Sequence, residues 1–295
     1  MKNQTTLGVI LAVTGILLFS SKAVMVKLAY LYGADSISIL LLRMVFAFPF
    51  YLTISLIKRP QQPIARRDYL WLFALGMIGY YLASYFDFLG LQYIKASLER
   101  LILFIYPTLV LLLSYLIFGK TITRKQAIGV VVTYIGVVII FSGELAVNQS
   151  DQVILGAVLI FFSALTYASY LTGSGWIIPK FGATVFTSYA MMISCGCVVI
   201  HYLLTEEITI LDFDAEVYWI GLAMAFFATV IPSYLISYAI KMIGANSFSI
   251  FGSLGPVSTI ALAYLFLDES LTLIQLVGSI VVIGGIFLAE KKKKP

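Results

Sequence analysis

Ten stretches of mostly apolar residues follow one another along the chain, and short polar connections separate them. They cover residues 7–30, 36–57, 69–93, 96–118, 126–143, 153–176, 184–204, 217–241, 245–267 and 273–289. Most approach the roughly 20 residues that an α-helix needs to cross the hydrocarbon core of a bilayer. The pattern therefore predicts an all-α polytopic membrane protein with ten transmembrane helices.

Lysine and arginine are concentrated in the connections on one side of these predicted helices. The opposite connections are acidic or neutral, with Lys95 as their clearest basic residue. Because short loops rich in lysine and arginine stay in the cytoplasm, we expect both termini to be cytoplasmic. The basic residues on this side are Lys2, Lys58, Arg59, Arg66, Arg67, Lys120, Arg124, Lys125, Lys180, Lys241 and Lys291 to Lys294.

The composition supports a membrane protein and argues against several other classes. Of the 295 residues, 61% are hydrophobic and only 11% are charged, against about 25% charged in soluble domains. The net charge of +5 is spread over short loops and a basic tail, so we expect no nucleic-acid partner. Cys195 and Cys197 have no metal-ligand spacing, and we expect neither a metal nor another cofactor, apart from a coupling proton.

The two halves of the chain resemble each other at an offset of 149 residues. This shift places Ala96 on Ala245, Pro107 on Pro256, Gly129 on Gly278 and Gly136 on Gly285. We therefore predict two repeats of five helices, residues 1–147 and 148–295. Five is an odd number, so the second repeat would enter the membrane inverted, as in many secondary transporters.

The chain resembles the EamA-type branch of the drug/metabolite transporter superfamily, whose members are ten-helix exporters and carriers. The resemblance rests on a small residue at a helix start, a mid-helix proline, an acidic residue at the helix end and a final helix with glycines. Ala245, Pro256, Glu269, Gly278 and Gly285 match this pattern. In the first half Lys120 stands where the acidic residue is usual, so no role is carried to that position.

The resemblance implies two inverted bundles around a central cavity, with the fifth and tenth helices outside as supports. It also implies a place in the plasma membrane, the inner membrane of a bacterium. Gly129, Gly136 and Gly143, like Gly278 and Gly285, recur every seven residues and favour close helix packing. We favour packing within one chain over a dimer seam, so a monomer and a homodimer both stay open. Similar proteins move amino acids, nucleotide sugars, choline-like cations, purines and drugs.

Five charged residues lie inside the predicted spans of the first repeat, in its outer half. Ionisable groups in a membrane span are costly and mark functional sites by default. They could line a vestibule or gate for a zwitterionic substrate, or form structural ion pairs, with Glu99 and Arg100 at the rim and Arg100 reaching the headgroups. The five are Lys22, Arg43, Asp87, Glu99 and Arg100, and Lys22 needs Asp87 or Glu99 as its counter-ion.

Polar and aromatic residues recur at helical spacing and predict a wet, aromatic-lined cavity, although a single tyrosine is ordinarily a packing residue. Pro107 and Pro256 are candidate hinges, and static kinks are the alternative. The candidate lining residues are Tyr80 and Ser84 with Asp87, Tyr106 with Glu99, Tyr167 with Tyr170, Tyr234 with Tyr238, and Asn246, Ser249 and Ser253.

These features favour a secondary active transporter that moves a small polar or zwitterionic metabolite across the membrane by alternating access. An amino acid or related compound is the first choice of substrate, with export as the direction, and proton coupling or exchange stays open. The alternative is a channel or flippase-like protein for a lipid-linked or amphipathic molecule. An enzyme is disfavoured, because the sequence contains no recognisable nucleophile–base set or metal-ligand cluster.

Overall fold

The computed structural model describes residues 2–60, 63–119, 121–147, 151–205, 210–252, 254–270 and 272–289. Within these ranges the ordered backbone is helical, and there is no β-strand. The first half contains α1 (Lys2–Leu31), α2 (Ser36–Ile57), α3 (Arg66–Gly76), α4 (Ala83–Leu91), α5 (Ala96–Leu103), α6 (Tyr106–Phe118) and α7 (Arg124–Val147). The second contains α8 (Asp151–Phe181), α9 (Ala183–Thr205), α10 (Ala215–Ala225), α11 (Ile231–Ile243), α12 (Ala245–Phe251), α13 (Leu254–Leu267) and α14 (Leu273–Ala289).

Every apolar stretch predicted from the sequence is mainly helical in the described residues. In the described residues, seven helical segments are long and apolar enough to cross a membrane, and Leu254–Leu267 and Leu273–Gly285 are shorter apolar helices. The protein is therefore an all-helical, multi-pass membrane protein. The count of ten spans and the cytoplasmic position of both termini stay predictions.

Two π-helical turns interrupt long helices at equivalent places in the two halves. Met77–Leu82 lies between α3 and α4, and Phe226–Val230 lies between α10 and α11. Their starts are separated by the offset of 149 residues that relates the halves. A π-helical turn inserts one extra residue into the ladder, and such turns are frequent at functional sites.

The sequence pattern indicated one continuous helix from Ala96 to Phe118, but the structure has two helices there. The first ends at Leu103 and the second begins at Tyr106, after a tight turn at Phe104 and Ile105. Pro107 lies in the first turn of α6. Backbone N–H groups in a first turn have no partner within the helix, so the missing N–H of proline costs no hydrogen bond there. The second half has the same interruption, since α12 ends at Phe251 and α13, which contains Pro256, begins at Leu254.

The packing pairs helices from different halves. α1 packs along α11, and α8, the equivalent of α1, packs along α4; α2 packs against its own equivalent α9. This pattern is what a twofold relation between the halves would produce. The division into an upright and an inverted repeat stays a prediction.

α7 and α14 pack mainly against each other through glycine backbones. A methyl group added at Gly136 would lie 2.8 Å from the Gly278 carbonyl oxygen, and one at Gly285 would lie 2.8 Å from that of Gly129. The outward side chains of α7, such as Ile128 and Val131, are exposed. The glycine face therefore joins helices of one chain, beside the bundle formed by the other helices.

Candidate functional site

Lys22 and Asp87 form an ion pair in the interior of the bundle. The Lys22 Nζ lies 2.5 Å from the Asp87 Oδ2, and both side chains are almost inaccessible. The predicted need of Lys22 for a carboxylate partner is confirmed. The pair joins α1 to α4, which places opposite charges from two helices at the same point.

Two phenylalanine rings each contact two of the three buried cations. The centroid of Phe88 lies 4.8 Å from the guanidinium carbon of Arg43 and 5.9 Å from the ammonium nitrogen of Lys22. The centroid of Phe19 lies 4.8 Å from the Lys22 nitrogen and 5.5 Å from the guanidinium carbon of Arg100. Ring faces attract cations, so the two rings help to hold the three charges in the interior. These shared rings were not predicted from the sequence.

Glu99 and Arg100 are buried, and the expectation that Arg100 reaches the headgroups is wrong. Glu99 has no exposed surface and Arg100 is 7% exposed. An N–H of Arg100 donates to the hydroxyl of Ser20 at 2.9 Å, and its guanidinium lies close to Gly255 of α13. Arg100 points inward because α1 offers it the Ser20 hydroxyl and the Phe19 ring. Gly255 of α13 leaves room for its guanidinium.

A cavity lies beside this charged cluster. Its empty volume, including the open side, is about 590 Å³. Its polar lining comes from α1, α2, both π-helical turns, α4, α8 and α11. The lining residues with polar side chains are Lys22, Arg43, Tyr80, Ser84, Ser163, Tyr167, Thr229 and Ser233.

The Arg43 side chain lines the cavity, and a hydrogen bond fixes its orientation. It is 2% exposed and donates to the Ser84 hydroxyl at 2.9 Å. Among the described residues that line the cavity, none carries a carboxylate. The wall therefore presents two cations, hydroxyl groups and aromatic rings.

A second, smaller cavity adjoins the first at Phe19, Leu103, Tyr167 and Ile236, which line both. Arg100 and Tyr106 also line it. The predicted seven-residue spacing of Glu99 and Tyr106 does not run along one helix, because the break before α6 separates them.

The other candidate tyrosines do not line this cavity, and their hydroxyls lie close to one another or to nearby hydroxyls. Tyr170 is fully buried and its hydroxyl lies 2.8 Å from that of Tyr80. The Tyr234 hydroxyl lies 2.8 Å from that of Ser188, and the Tyr238 hydroxyl 2.6 Å from that of Thr184. These bonds connect α8 to the first π-helical turn and α9 to α11.

Three candidates cannot be placed. Ser253 and the side chains of Asn246 and Ser249 lie outside the described part of the chain. Pro107 and Pro256 follow helix breaks, but whether these breaks act as hinges stays a prediction.

Glu269 has a role that sequence reasoning missed. Its carboxylate accepts bonds from the backbone N–H groups of Ala96 and Ser97, each at 2.9 Å, and from the Ser97 hydroxyl at 2.7 Å. A carboxylate satisfies the free donors of a helix N-terminus and interacts favourably with its dipole. Glu269, two residues after the end of α13, thus holds the start of α5, which carries Glu99.

A basic cleft lies elsewhere on the protein. Lys58, Arg59, Lys180 and Lys241 line it, and all four come from connections predicted to be cytoplasmic. Lys180 also forms an ion pair with Asp68 at 2.7 Å. The fold therefore gathers these separate basic connections at one end of the bundle.

The fold and the site define a class: a multi-pass helical membrane protein with buried charges beside a polar interior cavity. The chain belongs to the EamA-like transporter family, whose model matches residues 6–142 and again 154–290. It is 29% identical to "Uncharacterized transporter YcbK" of Bacillus subtilis over 96% of this chain and 91% of that protein. An "Uncharacterized transporter" of Archaeoglobus fulgidus is 24% identical over 99% of both chains.

Two further comparisons agree with this placement. "Protein PecM" of Dickeya dadantii is 27% identical over 77% of each chain. A solved crystal structure superposes with a TM-score of 0.68 over 98% of this chain and 96% of its own, at 16% identity. That similarity shows a shared fold.

Proposed function

We propose that the protein is a secondary active transporter for a small zwitterionic metabolite, with amino acids as the substrate class. Membership of a transporter family supports the general role. The observation that carries the substrate class is the cavity wall, in which Arg43 and Lys22 lie among hydroxyls and aromatic rings.

The wall chemistry matches the two ends of an amino acid. A carboxylate would meet the Arg43 guanidinium, which can bind it through two parallel N–H bonds. A substrate ammonium would meet the faces of Phe19, Tyr80 or Tyr167, which attract cations. Hydroxyls of Ser84 and Thr229 would supply further bonds.

The proposed mechanism is alternating access, and the equivalent helices and helix breaks of the two halves support it. The cavity lies between helices of both halves, and equivalent breaks precede Pro107 and Pro256. Bending at these places would open one end of the bundle while the other closes. We propose export across the plasma membrane, with both termini in the cytoplasm.

Binding can be tested on purified protein with a thermal-shift screen of amino acids and of the amines that lack their carboxylate. A ligand at 100 times its Kd stabilises the folded state by about 2.7 kcal/mol. We expect amino acids to raise the melting temperature and the amines to have no effect. In Arg43→Gln this shift should disappear, whereas Arg124→Gln, a change at an exposed position, should keep it.

Transport itself is tested in proteoliposomes loaded with the amino acid found in the screen. A carrier exchanges labelled for unlabelled substrate and saturates, so we expect counterflow. Flux that rises linearly with concentration, without counterflow, would instead support the channel alternative.

A further inference from the structure

The Glu99 carboxyl group is buried beside a second acid. Glu99 and Asp87 both have no exposed surface, and Glu99 lies within hydrogen-bonding reach of Asp87. Apart from the Lys22 ion pair of Asp87, no donor among the described residues bonds any of the four carboxylate oxygens. Two buried carboxyl groups thus lie together, and the one ammonium paired with them, that of Lys22, contacts Asp87.

Two carboxylates in contact inside a protein cannot both stay ionised, because their like charges repel and neither is hydrated. A proton shared by the two acids removes this conflict. It also supplies the missing donor, because a protonated carboxyl can donate an O–H bond to its neighbour. The 2.5 Å contact with Lys22 marks Asp87 as the ionised member, which leaves the proton on Glu99.

The other charged groups around Glu99 do not replace this proton. Arg100, its neighbour on α5, bonds Ser20 and lies on the ring of Phe19. Arg43 of α2 bonds Ser84 and lies over the Phe88 ring. α8 has no charged residue between Gln152 and Pro179, and α13 has none between Leu254 and Leu267. The charged residues of α7 stand at its ends, Arg124, Lys125 and Glu144.

We propose that Glu99 is the proton-binding residue that couples this transporter to the proton gradient. The coupling rests on the proposed function, whereas the protonation of Glu99 rests on the cluster alone. In the arrangement seen here Glu99 is protonated and donates to Asp87. Each transport cycle releases and rebinds this one proton.

The release step needs only water. The O–H bond of the Glu99 carboxyl breaks, its electron pair stays on the carboxylate oxygen, and a water molecule takes the proton to become hydronium. Glu269 holds the start of α5 through Ala96 and Ser97, three and two residues before Glu99. Loss of that contact admits water to Glu99, and the new carboxylate is balanced by Lys22.

Infrared spectroscopy of the full-length protein in lipid tests the protonation directly, with no substrate present. Wild type should show the carbonyl stretch of one protonated carboxylic acid per chain at neutral pH, and this band should vanish at alkaline pH. Glu99→Gln should lose the band. Glu216→Gln, a change of an exposed acid, should keep it.

A second variant keeps the test decisive if Glu99→Gln does not fold. In Asp87→Asn the like charge is gone, so Glu99 should ionise, pair with Lys22 and lose the band. Folded wild type without the band, a band that Glu99→Gln leaves unchanged, or a band that survives in Asp87→Asn would each overturn the proposal.

The same samples distinguish the failure of this proposal from that of the proposed function. Counterflow without the infrared band would remove Glu99 as the proton site and leave the transporter intact. The band without any amino-acid counterflow would leave the protonated acid established and overturn the substrate assignment.

Discussion

Burial of five ionisable groups in a membrane bundle requires a partner for nearly every one of them. Lys22 pairs with Asp87, Arg43 bonds Ser84, and Arg100 bonds Ser20. The cost of removing such charges from water is high, and it is offset only when the geometry is good. The stability of the bundle therefore depends on the partner residues as much as on the charged residues.

Lys22→Met tests this dependence. It leaves Asp87 and Glu99 with no ammonium, and removal of one partner of a buried ion pair costs about 3–5 kcal/mol. We expect a large fall in the melting temperature of the purified protein and no transport. Asp87→Asn should cost less, because Glu99 can take over as the counter-ion of Lys22.

The double variant Lys22→Met with Asp87→Asn is the control. It removes both charges, so most of the stability should return while transport stays absent. Equal instability of the double and single variants would show that side-chain packing, and not charge pairing, sets the cost.

At single residues, sequence reasoning identified which charges are buried but not all of their partners. Lys22 stood in the middle of an apolar helix, so its need for a carboxylate followed from physics alone. Arg100 was placed at the headgroups because it lies near a helix end, and depth along the chain does not reveal that α1 supplies Ser20 and Phe19 as its partners. The contact of Phe88 with Arg43 and that of Phe19 with Arg100 join different helices, so no local pattern contains them.

The π-helical turns are the elements that shape the cavity. Gly79 and Tyr80 of the first turn and Ala228 and Thr229 of the second all line it. The extra residue of such a turn leaves a carbonyl without its usual partner, and the Thr229 hydroxyl bonds the Met224 carbonyl at 2.9 Å. The irregular backbone therefore lies where the cavity is.

Gly79→Ala tests the first π-helical turn. A methyl group there would collide with the ring of Tyr170, so the turn or the ring must shift. Overpacking of this kind costs about 1–3 kcal/mol. We expect loss of substrate binding in the thermal-shift assay and a lower melting temperature. Gly196→Ala, where a methyl group meets open space, should change neither, and equal effects of the two would contradict this role.

Helix boundaries were predictable to within a few residues, because hydropathy decides where a chain can cross a bilayer. α2, for example, has the predicted bounds. The turn at Phe104 and Ile105 and both π-helical turns were missed, since they keep the same apolar composition as a straight helix. Tertiary contacts decide such interruptions.

At the scale of the whole molecule, the basic cleft is the clearest sign of orientation. Lys58, Arg59, Lys180 and Lys241 come from three separate connections and meet at one end. The positive-inside rule places that end in the cytoplasm. A reporter enzyme active only outside the cytoplasm should therefore be silent when fused to the C-terminus. Activity of that fusion, with a cytoplasmic reporter silent, would reverse the topology.

The α7–α14 contact joins the two halves and can be tested with adjacent glycines. At Gly285 a methyl group would lie 2.5 Å from the Thr133 backbone nitrogen, whereas at Gly284 it meets nothing. Gly285→Ala should lower the free energy of unfolding by about 1–3 kcal/mol. Gly284→Ala should leave the melting temperature unchanged, and a similar loss in both variants would exclude a specific seam.

The same seam has a consequence for biogenesis. α7 leaves the ribosome before the whole second half is made, yet in the described part of the chain its glycine face packs on α14. Until α14 is inserted, that face of α7 contacts lipid or an insertion factor. The insertion of α14 thus completes the contact, and a chain released before α14 is made would expose the glycine face of α7 to lipid.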